Sequence, residues 1–307
     1  MTKDFIHIAD FRAEQLSRLL ERALADKKLF QAGKLPATCT RKTLALIFEK
    51  PSLRTRVSFE AAMVQLGGAA IALTEQDIGL GKREAISDVA AVLGRMCDAV
   101  AARTFEHDTV VELARHAAVP VINALTDYSH PCQAMADAMT AAEVLGGLTG
   151  RKLAFIGDGN NVARSLAVLC AKLGAHFVLA SPQGYELGEQ FVASLPAGPG
   201  SFAQTYDPRQ AVADAAVVYA DTWVSMGQEN QKAQRLAAFR GFQINDELLA
   251  AAPADAVVMH CLPAYRGCEI TDAVMARHAK TIFAQAENRL HFQRSLLNVL
   301  ITEGGIR

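Results

Sequence analysis

Residues 43–60 read TLALIFEKPSLRTRVSFE, an apolar run that changes after a proline into a stretch rich in arginine and hydroxyl side chains. The first six residues have the length and continuous apolar character of a strand buried on both faces of a parallel sheet. After Pro51, Ser52 is placed to cap a helix, and Thr55 falls in its first turn. The stretch therefore predicts a strand-to-helix junction, the repeating unit of α/β architecture.

Apolar runs of strand length alternate with amphipathic stretches along the whole chain. Further strand candidates are 69–73, 98–102, 120–125, 152–157, 175–181, 216–220 and 256–261. Helix candidates lie near 12–32, 53–66, 84–96, 107–117, 132–146, 161–173, 230–238, 246–251, 271–278 and 286–302. With a boundary at the glycine-containing stretch 145–151, this order predicts two α/β domains, each a mostly parallel sheet flanked by helices.

Composition narrows the classes of protein to consider. The chain has 307 residues, is 51% hydrophobic and carries a formal net charge of −1, so no global field attracts nucleic acid or an anionic membrane. No run approaches the roughly 18 apolar residues of a membrane span, and the N-terminus has no secretory pattern. Six scattered cysteines without CxxC spacing predict free thiols and a cytoplasmic location.

The helix start after Pro51 has the chemistry of an anion site. Helix N-termini offer unpaired N–H groups and a positive dipole end, and the fork of Arg54 suits phosphate or carboxylate oxygens. The alternative is a serine cap followed by solvated arginines. Because arginine is electrostatically unfavourable in a first helical turn, the sequence favours the anion site.

Polar side chains also follow other predicted strands, where ligands bind in open α/β sheets. His130 and Gln133 in SHPCQ could donate hydrogen bonds to a carbonyl, although a helix-capping or surface histidine is an equal alternative. Asp221 could hold an ammonium group or lie in an ordinary loop. Cys261 could be a nucleophile or a small apolar residue. Arg289 is predicted in the first turn of the last helix, again an unusual place for an unpaired cation.

The turn FIGDGNN (155–161) keeps only a G-x-G of the dinucleotide-binding pattern, because Val162 stands at the third glycine position. A Rossmann-type nucleotide-binding protein is therefore one alternative from a different class. That alternative leaves the arginines at 54, 56, 103 and 289 unexplained.

In their order along the chain, these motifs resemble the aspartate/ornithine carbamoyltransferase family over nearly the full length. The matching elements are SxRTR at 52–56, ARTF around Arg103, HPCQ at 130–133, HCLP at 260–263 and ENR at 287–289. DGNN followed by DTWVSMGQE is similar to the ornithine branch of the family.

The resemblance implies a carbamoyl phosphate domain (1–146, with a returning helix 286–307) and an ornithine domain (147–285). It implies carbamoyl transfer to the δ-amine of L-ornithine, giving citrulline and phosphate in arginine metabolism, without metal or cofactor. A homotrimer, or a multiple of trimers, is also implied.

The family pattern also implies roles for individual residues. Arg103, His130, Cys261 and Asp221 are the expected catalytic residues. Carbamoyl phosphate binding is expected from Ser52, Leu53 (through its N–H), Arg54, Thr55, Arg103, His130, Gln133, Cys261, Leu262 and Arg289. Ornithine binding is expected from Asn161, Asp221, Ser225 and Met226.

Two positions depart from the pattern of ornithine enzymes. Leu53 stands where these enzymes often have threonine, and SLRTR is also associated with relatives that use N-acetyl- or N-succinylornithine. Gly79 stands where some relatives place a glutamine that reaches a neighbouring subunit's carbamoyl phosphate. An acylated ornithine is therefore an alternative acceptor.

Overall fold

The structure, a computed structural model, describes residues 2–225 and 227–306. The chain forms two compact units, one built from residues 1–139 and 287–307 and the other from residues 140–286. The chain passes from one unit to the other inside two helices, near residues 139 and 286. The domain limits expected from the sequence lie close to these points and stay a prediction.

The first unit is a four-stranded parallel sheet with helices. Its strands are β1 (Thr43–Phe48), β2 (Ala69–Thr74), β3 (Ala99–Arg103) and β4 (Val121–Leu125). Its helices are α1 (Ala13–Gln31), α2 (Leu53–Gln65), α3 (Glu75–Ile78), α4 (Ile86–Met96), α5 (His107–His116) and the start of α6 (Pro131–Leu145), preceded by a 3₁₀ turn at Ile8–Asp10.

The strand order in this sheet, β2-β1-β3-β4, places a topological switch point between β1 and β3. From β1 the chain goes through α2 to β2 on one side, and β3 then lies on the other side of β1. Phe48, the last residue of β1, is in register with Arg103, the last residue of β3. The loop after Phe48 and the side chain of Arg103 therefore start from the same edge of the sheet.

The second unit contains a five-stranded parallel sheet. Its strands are β5 (Lys152–Ile156), β6 (His176–Ala180), β7 (Ser201–Thr205), β8 (Val217–Ala220) and β9 (Val257–His260). Its helices are α7 (Asn161–Leu173), α8 (Glu189–Ala193), α9 (Pro208–Val212), α10 (Lys232–Ala238), α11 (Asp246–Leu249), α12 (Asp272–Arg277) and the start of α13 (Ala279–Thr302), with a 3₁₀ turn at Glu229–Gln231.

The second sheet also has a switch point, between β5 and β8, because its strand order is β7-β6-β5-β8-β9. Ile156, Ala220 and His260 lie in register across the ends of β5, β8 and β9. The next residues along these three strands include Asp221 and Cys261. Sequence positions that are far apart are brought together by this register.

Burial explains why the strands were recognisable. All five residues of β3 and all four of β8 are buried, so both strands read as continuous apolar runs. In the first unit, Val100 of β3 belongs to one apolar cluster with Val110 and Leu113 of α5. Burying each such side chain contributes about 1.5–3 kcal/mol. Apolar packing of helices against the sheet therefore stabilises this unit.

The predicted fold class is confirmed, and residues 287–302 of α13 return to the first unit as expected. Several details of the sequence prediction were wrong, and the three short helices α3, α8 and α9 were not predicted at all. Strand β7 was missed because its sequence, SFAQT, is mostly exposed at the sheet edge and lacks an apolar run. The last helix begins at Ala279 rather than near 286, so Arg289 lies in the helix interior and not in its first turn.

All six cysteines are free, as predicted. Among residues 2–225 and 227–306, no helix combines the length and the apolar character needed to span a bilayer.

Candidate active site

The junction after β1 forms the helix start that the sequence predicts. Ser52 is the N-cap of α2, and its Oγ accepts a hydrogen bond from the Thr55 backbone N–H at 3.3 Å. The side chain of Leu53 is 75% exposed, so this residue offers the junction its backbone rather than its side chain. The cap therefore leaves a hydroxyl side chain and helix N–H groups at the switch point of the first sheet.

Thr55 is fully buried and links this junction to the end of the chain. Arg289 Nη2 donates to Thr55 Oγ1 at 2.8 Å, and Ser52 Oγ donates to the same oxygen at 3.0 Å. Arg289 is itself buried, on the part of α13 that belongs to the first unit. A guanidinium is thereby fixed beside the start of α2.

Three arginines and one histidine form a cationic cluster, defined here as Arg54, Arg103, His130 and Arg289. Burial and the positive charges of Arg289 and Arg54 lower the pKa of Arg103. Burial also lowers the pKa of His130 well below its usual value, and Arg289, Arg103, Lys50 and Arg54 reinforce this shift. His130 is therefore a neutral imidazole at physiological pH, and the three arginines concentrate positive charge beside the start of α2.

Arg56 has a different role from Arg54, although the two lie in the same motif. Arg56 Nε donates to Glu60 Oε1 at 2.9 Å on the exposed face of α2, an ordinary i,i+4 ion pair. The sequence could not separate the two arginines, whereas the helix directs them to different surroundings.

Lys50 is a cationic neighbour of the cluster that the sequence reading missed. Its side chain lies with the ammonium 4.6 Å from the centroid of the Phe105 ring, and the residue is only 7% exposed. Burial and the charge of Arg103 lower the pKa of Lys50 to about 8. Within the described ranges, no carboxylate lies within ion-pair distance of this ammonium. In the sequence, the only indication of this role was that the lysine directly precedes PSLRTR.

Gln133 lies in the first turn of α6, close to His130. Its backbone N–H donates to the His130 carbonyl at 3.1 Å, and its Nε2 donates to Asp137 Oδ1 at 2.8 Å. Both Gln133 and Asp137 are buried. Asp137 is not among the site residues that the sequence predicts.

The second unit presents an anionic group at its own switch point. Asp221 follows β8 and is buried; its Oδ1 accepts from the Thr222 N–H at 2.7 Å, and its Oδ2 accepts from Asn160 Nδ2 at 2.7 Å. Cys261 Sγ donates to Asp221 Oδ1 at 2.9 Å. The predicted residues Asp221 and Cys261 are therefore brought together, with Asn160 as an additional partner.

The glycine-containing turn before α7 ends in Asn160, which caps the N-terminus of that helix. Asn160 Oδ1 accepts from the Val162 and Ala163 N–H groups at 3.0 Å each, which occupies donors that a dinucleotide pyrophosphate would need. A Cβ on Gly159 would lie 2.7 Å from the Leu187 nitrogen, so close backbone approach explains this glycine. Asn161, an expected ornithine ligand, is the first residue of α7.

A buried histidine–carboxylate pair shapes the loop that carries Cys261 and Leu262. His260 Nε2 lies 3.1 Å from Glu269 Oε1, and His260 Nδ1 accepts from the Leu262 N–H at 2.9 Å. Leu262 takes the left-handed conformation with φ of 60°, which a non-glycine residue rarely adopts. The first residues of the HCLP motif are thus held by the His260 side chain, which is itself bonded to Glu269.

Arg235 connects the loops after β5 and β8. Its Nη2 donates to Asp158 Oδ2 at 3.0 Å, and its Nη1 donates to the Trp223 carbonyl at 3.2 Å. Burial raises the pKa of Asp158 to about 6, with Arg235 opposing the shift.

Ser225, an expected ornithine ligand, lies in the loop after β8, where its N–H donates to Gln228 Oε1 at 3.1 Å. Met226, another expected ornithine ligand, lies outside the described residues.

Two protein-family models match the chain, one over its N-terminal half and one over its C-terminal half. The family model described as "Aspartate/ornithine carbamoyltransferase, carbamoyl-P binding domain" matches residues 3–143, and the model of the "Asp/Orn binding domain" matches residues 149–300. The chain belongs to the aspartate/ornithine carbamoyltransferase family. The predicted family and the predicted enzyme class, a carbamoyltransferase, are confirmed.

Relatives in this family are similar over almost their whole length. An ornithine carbamoyltransferase of Anoxybacillus flavithermus is 48% identical, with 97% of this chain and 96% of the relative covered. The anabolic ornithine carbamoyltransferase of Pyrococcus furiosus is 47% identical, with 99% and 98% covered. A solved P. furiosus structure superposes with a TM-score of 0.93 at 47% identity, covering 99% of this chain and 98% of the other.

A more distant solved structure shows the same fold. The anabolic enzyme of Campylobacter jejuni matches with a TM-score of 0.90 at 36% identity, covering 98% of this chain and all of the other. The similarity in fold therefore extends over almost the whole of this chain.

Proposed function

We propose that the protein transfers the carbamoyl group of carbamoyl phosphate to the δ-amine of L-ornithine, giving L-citrulline and phosphate, as a step of arginine metabolism. The observation that carries this proposal is the cationic cluster at the start of α2. Arg54, Arg103 and Arg289 repel one another, and a phosphate dianion relieves that repulsion.

The start of α2 supplies the phosphate cradle. Ser52, Leu53, Arg54 and Thr55 offer backbone N–H groups, hydroxyls and a guanidinium to phosphate oxygens. Thr55 Oγ1 already accepts from Arg289 and Ser52. We assign the hydrogen of its hydroxyl to an oxygen of the substrate.

The carbonyl oxygen of carbamoyl phosphate is assigned to Thr55, Arg103 and His130. The lowered pKa keeps His130 neutral, so its imidazole donates one hydrogen bond without adding a proton to the reaction. Preorganised donors of this kind are typically worth about 3–4 kcal/mol each when negative charge develops on the oxygen. Gln133 and the Leu262 carbonyl are assigned to the carbamoyl NH₂ group.

The acceptor substrate is assigned to the second unit. Asp221 is placed to bind the α-ammonium of ornithine, and Asn161, Ser225 and Met226 to bind its carboxylate. With its S–H directed at Asp221 Oδ1, Cys261 presents sulfur lone pairs to an N–H of the attacking δ-amine. Asp221 and Cys261 therefore orient the acceptor.

The reaction needs positioning and charge stabilisation. The δ-amine attacks the carbonyl carbon and a tetrahedral oxyanion forms; phosphate then leaves with the C–O bond electrons, and the proton lost by the attacking nitrogen ends on that phosphate. Because the free amine has a pKa near 10.4, it must lose a proton before attack. Orienting two substrates can supply roughly 7–11 kcal/mol of the barrier reduction. Arg54 and Arg103 stabilise the departing phosphate, and no residue forms a covalent bond.

A free α-ammonium on the acceptor is favoured by the buried carboxylate of Asp221. N-Acetyl- or N-succinylornithine would place a neutral amide against this carboxylate. We therefore expect L-ornithine to be preferred, even though Leu53 is shared with relatives that use acylated substrates.

The experiment compares kcat/KM for L-ornithine, N-acetylornithine and N-succinylornithine at fixed carbamoyl phosphate, with citrulline or acylcitrulline as the measured product. Ornithine should exceed both by at least about tenfold, and Asp221→Asn should remove most of that preference. Asp214→Asn is the control, because Asp214 is exposed and ion-paired with Lys152. An equal or higher value with an acylated substrate would contradict the assignment of the acceptor.

We also propose that the enzyme works in the cytoplasm as a homotrimer or a multiple of trimers. Exposed apolar side chains on one stripe of α2, Leu53, Val57 and Val64, and Ile71 on edge strand β2 support self-association. The segment 76–84, with Gly79 at φ of 60°, is assigned to the neighbouring subunit through exposed residues such as Gln76, Lys82 and Arg83, because Ile78 and Leu80 are buried in the apolar cluster of their own unit. Sedimentation at assay concentration tests this, and a fully active monomer would contradict it.

A further inference from the structure

Gln133 and Asp137 lie one helical turn apart on α6, and both side chains are 1% exposed. Gln133 Nε2 donates to Asp137 Oδ1 at 2.8 Å. A carboxylate accepts hydrogen bonds and does not donate them, so Asp137 attracts the NH₂ side of the glutamine amide and repels its oxygen. The orientation of the amide is therefore fixed by Asp137.

The same geometry leaves the other side of the amide without a partner. Gln133 Oε1 is buried and accepts no hydrogen bond from the part of the chain that the structure describes. A buried unpaired acceptor costs about 1–3 kcal/mol, a cost that a ligand carrying an N–H donor would relieve. The neighbouring positions at the start of α6 include His130, a member of the cationic cluster.

We propose that Asp137 is a positioning residue that makes the site select a carbamoyl donor over other acyl phosphates. Asp137 holds the Gln133 amide with Oε1 directed at the carbamoyl NH₂ group. Acetyl phosphate has the same phosphate and carbonyl but a methyl group in place of NH₂, so it cannot satisfy this acceptor. The inference rests on the proposed function and adds the origin of donor specificity.

A purely structural role for Asp137 predicts something different. If Asp137 only stabilised α6, its replacement would weaken both acyl phosphates equally, because both use the same phosphate cradle and carbonyl donors. Selective weakening of carbamoyl phosphate is expected only if the amide loses its orientation. The comparison of the two ligands therefore separates positioning from folding.

The test measures kcat/KM for carbamoyl phosphate and the inhibition constant of acetyl phosphate in wild type and Asp137→Asn. An asparagine can face Gln133 with either its oxygen or its NH₂ group, so the amide is no longer held one way. We expect kcat/KM for carbamoyl phosphate to fall about 3- to 10-fold while the acetyl phosphate constant stays within about twofold. Met139→Leu, a buried apolar exchange on the same helix, should leave both constants unchanged.

Equal losses for both ligands, or no loss for either, would overturn the proposal. Asp137→Ser is the second variant if Asp137→Asn folds poorly, and it must show the same divergence. If the wild-type protein makes no citrulline, the proposed function fails on that result alone. The positioning proposal is then judged by the rise in Tm with carbamoyl phosphate and with acetyl phosphate, where the same divergence supports it and parallel changes overturn it.

Discussion

Arg289 Nη2 donates to Thr55 Oγ1 at 2.8 Å, joining two residues that are 234 positions apart in the sequence. The bond ties the interior of the last helix to the first turn of α2. Because Thr55 Oγ1 also accepts from Ser52, the threonine hydroxyl is oriented by two donors. The first turn of α2, which we propose as the phosphate cradle, is thus fixed by hydrogen bonds within the protein.

Thr55→Val should test this preorganisation. Valine keeps the shape of threonine but has no hydroxyl, so the Arg289 guanidinium loses an acceptor and the substrate loses a donor. We expect kcat/KM for carbamoyl phosphate to fall about 10- to 10²-fold, with little change in KM for ornithine. Ser58→Ala is the matched control, because Ser58 Oγ donates to the Thr55 carbonyl on the same helix and has no other hydrogen bond within residues 2–225 and 227–306. Similar losses in both variants would point to damage of α2 as a whole.

Arg54 and Arg56 provide a matched pair for the anion site. Arg54→Lys keeps the charge but loses the bidentate fork, and we expect kcat/KM to fall by at least ~10²-fold from a contact worth about 3 kcal/mol. Arg56→Lys should stay within about twofold, because Arg56 is exposed and pairs with Glu60. Steady-state kinetics on both variants show whether Arg54 binds the phosphate of the substrate. Near wild-type activity of a folded Arg54→Lys variant would show that the motif is only a capped helix start and not an anion site.

Lys50 should make carbamoyl phosphate binding sensitive to pH near 8. Burial lowers its pKa to about 8, so the free enzyme loses this positive charge as the pH rises through that value. A bound dianion favours the protonated lysine, so affinity is highest below pH 8 and falls above it. The groups that face Lys50 are Arg103, which lowers its pKa, and Asp127, Glu49 and Glu106, which raise it.

The expected change is about tenfold in Kd for each pKa unit by which binding raises the Lys50 pKa. Calorimetry in buffers of different ionisation enthalpy measures the accompanying proton uptake. Lys50→Met should remove the uptake, whereas Lys42→Met should not, because Lys42 is ion-paired with Asp98. Unchanged proton uptake in Lys50→Met would assign the titration to another group.

Arg235 should be important for the stability of the second unit. Arg235→Met leaves Asp158 buried without its ion-pair partner, and we expect a loss of about 3–5 kcal/mol in the free energy of unfolding. Arg235→Met combined with Asp158→Asn should recover much of that loss. Arg266→Met, which breaks the exposed pair with Asp272, should change stability by no more than about 0.5 kcal/mol. Urea unfolding measures all three, and equal losses for the two single variants would contradict this account.

The elements that the sequence predicted best are those whose residues share one environment. β3 and β8 are buried throughout and β1 is buried after Thr43, so their apolar runs were visible in the sequence. Ser52 was recognisable as a cap because capping is decided within four residues. β7 was missed because an exposed edge strand has no such run. The start of α13 was misplaced because the short interval after α12 carries no strong breaker.

Local patterns thus determined the α/β fold, the helix cap and the family motifs of this chain, since each depends on neighbours in the sequence. Partners far apart were decided only by tertiary structure. Strand register aligns Ala220 with His260, which puts Asp221 beside Cys261, and α13 carries Arg289 to Thr55. Lys50 and Asp137 were not distinguishable by spacing, because burial and the charge of neighbouring groups give them their roles. Those properties exist only once the chain has folded.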